Sequence, residues 1–221
     1  MSSQIQDSKL DTITRLLRDR FGRPETVLVA GCGDGREAAV LAKQLATTVI
    51  GIDINDAFDP DAADRVDLRV ADATKLPFED GSFELVFSFH MLEHVTSPHL
   101  ALAEMRRVLR PGGGFWIGTP NRSRIVGYVV TSASLQEKLV WNIADWRARM
   151  NGRFRNELGA HAGFTRHELR ALLSHVFNSV EDETRAYYAS LYPRHTRLLA
   201  LVERTRLAKL MYPSVYFAGR R

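Results

Sequence analysis

The chain has 221 residues, 45% of them hydrophobic, a formal net charge of +4 and a single cysteine, Cys32. This length fits one α/β domain and the composition an ordinary globular protein. An internal disulfide is excluded, no apolar run approaches the ~18 residues of a membrane span, and no basic segment leading into an apolar core marks a signal peptide, so a cytoplasmic protein is expected.

Ser8 to Arg20 reads as a helix, with Leu10, Ile13, Leu16 and Leu17 on one face and Gly22 as its stop. Thr26 to Ala30 is a first strand, and it runs into Gly31-Cys32-Gly33-Asp34-Gly35. Glycine permits a tight turn and lets a ligand approach the backbone. A buried strand, such a turn and then a helix (Arg36 to Leu45) is how open α/β sheets make a nucleotide pocket. Val49 to Ile52 is a second strand, and Asp53 at its end offers a carboxylate where a ribose needs an acceptor. A dinucleotide fingerprint wants Gly or Ala at the position of Arg36, which argues against NAD and FAD.

Val66 to Val70 is a short third strand and Phe83 to Phe89 a buried fourth. A helix begins near Pro98 and continues through Leu100–Leu109. Pro111-Gly112-Gly113-Gly114 ends it, and Phe115 to Gly118 is a fifth strand. The pattern then loosens from Arg122 to Ala160, with two aromatic-rich helices expected at Ser134–Ile143 and Ala144–Met150. Thr165 and Glu168 form a capping box for a helix over Arg166–Val176. Phe177 to Thr184 is a sixth strand, Arg194 to Leu210 a basic amphipathic helix, and Ser214 to Ala218 the last strand. Strands separated by helices imply a parallel sheet.

Five ordered blocks lie between Glu25 and Asn121: Val27–Gly35; Gly51-Ile52-Asp53; Ala71-Asp72-Ala73-Thr74-Lys75-Leu76-Pro77-Phe78; Ser82–Val86 leading to Leu92-Glu93-His94-Val95; and Val108–Gly114. In this order they resemble the class I S-adenosylmethionine-dependent methyltransferases, in the small-molecule, methyltransferase type 11 or ubiquinone-type branch. The resemblance implies a Rossmann-like three-layer α/β sandwich. Its seven-stranded sheet would be mostly parallel, with an antiparallel strand near the C-terminus, the leading helix over the cofactor mouth and a helical, substrate-side insertion at about 122–160.

The resemblance also carries cofactor roles onto matching positions. Gly31, Cys32, Gly33 and Gly35 would run beside the methionyl part and ribose of S-adenosylmethionine. Asp53 would accept from both ribose hydroxyls and Ile54 would lie on the adenine face. Asp72 and the Ala73 N–H would meet the adenine edge, and Phe87 and Ser88 would line the methionyl end. The family usually has an acid two residues before the first glycine. Val29 stands there instead, leaving Glu37 or Asp34 to compensate. No metal is implied.

A sulfonium methyl carbon has a neutral leaving group, so the protein's task is to align the nucleophile and exclude water, and to deprotonate a hydroxyl or thiol acceptor. His90 and His161 are the candidate bases. His94 reads instead as a structural hydrogen bond at a helix start, and Glu93 as structural. Tyr128, Trp141, Trp146 and Phe154 either wall an acceptor pocket or are ordinary core.

The charge is asymmetric. Residues 1–120 hold 13 Lys and Arg against 18 Asp and Glu, whereas residues 121–221 hold 17 against 8. The basic C-terminal part suits acidic acceptors or an anionic membrane surface met peripherally through the Arg194–Leu210 helix. A small-molecule, lipid or glycan acceptor with an oxygen nucleophile is expected. A non-catalytic cofactor-binding regulator or subunit is the alternative. Nucleic acid is disfavoured, because Phe87-Ser88-Phe89-His90 replaces the Asn/Asp-Pro-Pro-Tyr/Phe block of the amino-directed enzymes and only Cys32 could serve a cysteine route.

Overall fold

The computed structural model describes residues 2–128, 133–158, 161–205 and 208–221. The chain opens with helix α1 (Ser2–Phe21) and proceeds through β1 (Thr26–Ala30), α2 (Arg36–Leu45), β2 (Thr48–Asp53), the short α3 (Pro60–Ala63), β3 (Asp67–Val70), β4 (Phe83–Phe89) and, after a 3₁₀ turn at Leu92–His94, α4 (Pro98–Val108). It continues with β5 (Leu109–Pro120), α5 (Leu135–Met150), α6 (Arg166–Val176), β6 (Ser179–Asp182), α7 (Thr184–Leu191), α8 (Thr196–Glu203), α9 (Ala208–Met211) and β7 (Ser214–Arg220).

The sheet has seven strands in the order β3-β2-β1-β4-β5-β7-β6. β3 through β5 run parallel, and β7 lies antiparallel between β5 and β6. The order reverses beside β1, and ligands bind at such a switch point, outside the carboxyl ends of the strands.

Strand alternation divides the core into two layers. Val27, Val29, Leu85, Phe87 and Trp116 face one side, where Ile13 and Leu17 of α1, Ala38 and Leu41 of α2, and Tyr187 and Tyr188 of α7 cover them. Leu28, Ala30, Val86, Phe115 and Ile117 face the other, against Leu102 and Met105 of α4 and Leu169 and Leu173 of α6. This is the three-layer α/β sandwich expected.

Several elements differ from expectation. β5 begins at Leu109 rather than Phe115, because Leu109 pairs with Phe83 and the register shifts before Gly114 meets Leu85, carrying Pro111–Gly113 along the edge of β4. The two helices expected over Ser134–Met150 are one helix: Ser134 and Glu137 form a reciprocal capping box, and neither glycine nor proline interrupts the chain from there to Met150. The end of the expected insertion at Ala160 and residues 129–132 lie outside the described residues. α7, unanticipated, begins where the sixth strand was expected to finish, and its Tyr187 and Tyr188 pack on Tyr216 of β7. The basic helix expected over Arg194–Leu210 stops at Glu203, where Thr205 donates both its N–H (2.9 Å) and its hydroxyl (2.7 Å) to the Val202 carbonyl. Among the described residues no helix is long and apolar enough to cross a membrane.

Candidate active site

A cavity of about 440 Å³ opens at the carboxyl ends of β1, β2 and β4. Its wall is built from Gly31 and Gly33 after β1, Ile52 to Asn55 at the end of β2, Ala71 to Thr74 after β3, His90, Met91 and His94 after β4, and Val95 to Ser97 with Leu100 at the start of α4.

The glycine turn takes its shape from positive φ angles at Gly31 (+75°), Gly33 (+55°) and Gly35 (+85°). A Cβ on Gly31 would collide with the Met91 side chain, and one on Gly35 with Leu68, whereas one on Gly33 would project into open space. The backbone at Gly33 is therefore bare toward a ligand. Asp53 orders this turn: its Oδ2 accepts from the Gly33 N–H at 2.9 Å and its Oδ1 from the Asn55 N–H at 3.0 Å. The N–H groups of Gly31 and Cys32 both donate to the Ile52 carbonyl at 2.9 Å. The turn thus holds its conformation with Val29 sealed in the core and no acid at that position. Glu37 lies in the first turn of α2, near Lys9, and burial pushes its carboxyl up to about 7.

Asp72 accepts from the N–H and the hydroxyl of Thr74, both at 2.8 Å, and the backbone donor holds its carboxyl below the usual carboxylate range. Ile54 is exposed at the rim. Asp53, Ile54, Asp72, Ala73, Gly31 and Gly33 therefore line one cavity.

Four expected cofactor residues stand back from it. Gly35 caps α2 behind the turn. Cys32 is buried against Gly51, and burial, with Asp53 nearby, pushes its thiol up to about 12, so it stays protonated. Phe87 is fully buried in the core, and Ser88 is buried with its hydroxyl unpartnered. Both lie inside a strand covered on two faces, so only residues beyond the strand end reach the cavity. Arg36 has a structural role, donating to Asp59, the N-cap of α3. α1 supplies no described lining residue and packs on α2 and α7 instead.

His90 leaves β4 in the left-handed region (φ +54°), its N–H fixed to the Gly118 carbonyl at 2.8 Å and its Nε2 hydrogen-bonded to Ser214 Oγ at 3.1 Å. Desolvation, reinforced by Lys9, Arg124, His161 and His94, pushes its ring down to about 3. It is neutral at physiological pH and a weak base in this state. His161 is exposed and does not line the cavity; its ring sits edge-on to His94, centroids 4.7 Å apart. His94, expected to be structural, does line the cavity, and burial lowers its ring. Sequence missed this because the 3₁₀ turn, which presents His94 outward and Glu93 inward, has no periodic signature.

Behind these histidines lies an arginine hub. Arg124, buried, donates to the carbonyls of Asn121, Ala162 and His161 and pairs with Asp145 at 2.8 Å. Glu93 is buried, and burial pushes its carboxyl up to about 7 against the opposing pull of its own backbone N–H and of Arg124. Its folded state holds a proton that the unfolded chain releases near 4.5. The associated stability is fully present below that pH and is lost as pH rises through about 7. Glu93→Gln, which cannot ionise, should flatten the fall in Tm between about pH 5 and 8 and raise Tm at the upper end by several degrees. Thermal melts across that range check this.

Residues 28–117 match the family model of the methyltransferase domain, type 11. A Mycolicibacterium smegmatis protein named a probable S-adenosylmethionine-dependent methyltransferase is 40% identical over 99 residues, 43% of this chain and 38% of its own. The 27-O-demethylrifamycin SV methyltransferase of Amycolatopsis mediterranei is 31% identical over 128 residues, 51% of this chain and 47% of its own. The chain thus spans less than half the length of these relatives. Among solved structures, the Burkholderia thailandensis 1,6-didemethyltoxoflavin-N1-methyltransferase superposes with a TM-score of 0.57 at 19% identity, covering 96% of this chain and 78% of that one, a likeness of fold. The family match thus places a type 11 methyltransferase domain at residues 28–117, the region that carries the glycine turn, Asp53 and Asp72. The Mycolicibacterium smegmatis relative is named for its dependence on S-adenosylmethionine.

Proposed function

We propose that this chain transfers the methyl group of S-adenosylmethionine to a small-molecule, lipid or glycan acceptor through an oxygen nucleophile. The observation that carries the reading is the single cavity wall shared by the bare Gly33 backbone, Asp53, Asp72 and the two histidines His90 and His94. The fit to an adenosyl ligand is good: a carboxylate has spare lone pairs for two ribose hydroxyls beyond its bond to Gly33, and Ile54 offers an exposed apolar face for the adenine. Asp72 and the Ala73 N–H would take the adenine edge. When bound, S-adenosylmethionine supplies an electrophilic sulfonium methyl carbon. Relatives named as a 27-O-demethylrifamycin SV methyltransferase and a norajmaline N-methyltransferase support a small-molecule acceptor.

His90 is the positioning group in this scheme. Its neutral ring, fixed through Nε2 by Ser214 while its backbone N–H is held by the Gly118 carbonyl, holds the acceptor by a hydrogen bond without competing as a cation. Deprotonation of a hydroxyl then falls to His94, which lines the cavity, with His161 packed edge-on behind it. The remaining task, alignment and exclusion of water, is worth ~7–11 kcal/mol in well-oriented systems.

Calorimetric titration with S-adenosylmethionine, followed by turnover on a panel of hydroxyl and amine metabolites, tests the reading. His94→Gln should lower kcat about a hundredfold on a hydroxyl acceptor and abolish the acid limb of the pH–rate profile. His90→Gln should raise KM and leave that limb in place. No binding at millimolar cofactor would overturn the proposal. Binding without turnover on any acceptor class would favour a cofactor-binding regulator.

A further inference from the structure

Helix α5 carries an apolar stripe that the described residues leave largely uncovered. Leu135, Leu139, Ile143, Trp146 and Met150 recur at i, i+4, i+8, i+11 and i+15, a continuous stripe along one helix face. In an ordinary surface helix that stripe faces the core. Here Leu135 is 86% exposed, Met150 79%, Leu139 58% and Trp146 42%. The contacts the helix makes inward, from the flank beside the stripe, are polar instead. Asn142 accepts from the Gly127 N–H at 2.7 Å and donates to its carbonyl at 3.2 Å, Asp145 takes Arg124 at 2.8 Å, and Arg149 donates to the carbonyls of Arg122 and Arg124 at 2.7 and 2.9 Å. Asn142 is the only residue of the helix that is fully buried. Trp146 donates its indole N–H to the carbonyl of Ile125, itself 52% exposed, so the apolar surface continues beyond the helix.

A contiguous outward apolar stripe marks a surface that something covers. The charge around it selects the partner. Arg147 is exposed beside the stripe, and Arg153 and Arg155 are exposed just past its end. The two acids of the helix are committed elsewhere, Glu137 to the capping box and Asp145 to Arg124. An apolar band with a tryptophan, with arginines beside it and past its end and its exposed acids confined to Glu137 in the first turn and Glu157 beyond Arg155, is the pattern of a helix lying in the interface of an anionic bilayer. A second copy of the same face would bring like charges together.

We propose that the outward face of α5 docks on an anionic lipid surface. The assignment differs from the one the composition suggests, which would place the contact on the Arg194–Leu210 segment. It is independent of the methyl-transfer reading, since it rests on the helix face and not on the cavity. The two are adjacent all the same: Asp145 of α5 holds Arg124, Arg124 holds the His161 carbonyl, and His161 packs on His94 at the cavity wall.

The test is co-sedimentation of the full chain with phosphatidylcholine vesicles, with and without phosphatidylglycerol, at low and high salt. Binding is expected only with the anionic lipid and should weaken with salt. Leu139→Glu combined with Met150→Glu, both at exposed positions and therefore folding-neutral by circular dichroism, should abolish it. Arg147→Glu should weaken it about tenfold. Arg194→Glu with Arg197→Glu should leave it unchanged. Binding insensitive to anionic lipid, retained by the Leu139/Met150 variant or lost in the Arg194/Arg197 variant would overturn the proposal. So would failure to bind either vesicle, or a dimer in sedimentation velocity that the Leu139/Met150 variant dissociates.

Discussion

Asp53→Ala should weaken S-adenosylmethionine binding by roughly a hundredfold or more. The carboxylate has two duties in the proposed complex: it accepts from the ribose hydroxyls, and it already accepts from the N–H groups of Gly33 and Asn55 that shape the turn. Hydrogen bonds to a charged group are worth about 1.5–3 kcal/mol each, and about 3 kcal/mol corresponds to the hundredfold figure. Asp53→Asn keeps one acceptor oxygen and should cost about tenfold. Calorimetry on the folded variants measures both, and an unchanged Kd for Asp53→Ala would remove the ribose assignment. With Val29 buried and apolar, the other carboxylates near the turn are Asp34 and Glu37, both close enough to raise the Cys32 thiol.

The largest stability effect is expected at Gly163. This residue has φ +72°, and a Cβ there would run into the Pro120 carbonyl at the end of β5, a backbone atom that cannot swing aside. Its own N–H donates to Asn156 Oδ1 at 2.8 Å, and its carbonyl receives the Arg122 guanidinium at 2.8 Å and Asn156 Nδ2 at 3.1 Å. The next residue, Phe164, donates to that same Pro120 carbonyl at 3.0 Å. Gly163→Ala adds the left-handed penalty of about 1–2 kcal/mol to a displacement of this junction, for a total on the order of 4 kcal/mol, roughly 10 °C in Tm for a chain of this size. Gly112→Ala, at similar φ (+77°) with open space around its Cβ, should cost only about 1–2 kcal/mol. Equal losses at the two sites in thermal melts would show that φ alone, and not the clash, sets the cost.

Legibility in the chain alone divides along physical lines. β1, α2, β4 and α6 have the limits that their local signals predict, because an apolar run into a glycine turn, a helical stripe after it and a capping box are decided within a few residues. β5 runs longer than expected because pairing with β4 and β7 overrides the Pro-Gly-Gly-Gly breaker. α7 has no local signal because its tyrosines are held by β7, far away in sequence. The site divides the same way. Gly31, Gly33, Asp53, Ile54, Asp72 and Ala73 follow strand ends and are legible there. Thr96, Ser97 and Leu100 reach the wall only through the path of the chain between β4 and α4. Phe87 and Ser88 come too early in the strand, since the chain faces the ligand space only after β4 has ended.

The segment after β5 is fastened through main-chain oxygens. Arg122, Arg124 and Arg149 reach the carbonyls of Gly163, Asn121, Ala162, His161, Arg122 and Arg124. Every residue type presents such an oxygen, so these tethers do not depend on which side chains the fastened positions carry. Three arginines therefore carry much of the grip on this region, together with the Arg124–Asp145 pair and the bonds of Asn142 to Gly127, whatever side chains the tethered positions present. A scaffold anchored this way can trade one set of surface groups for another without first loosening its grip on the sheet.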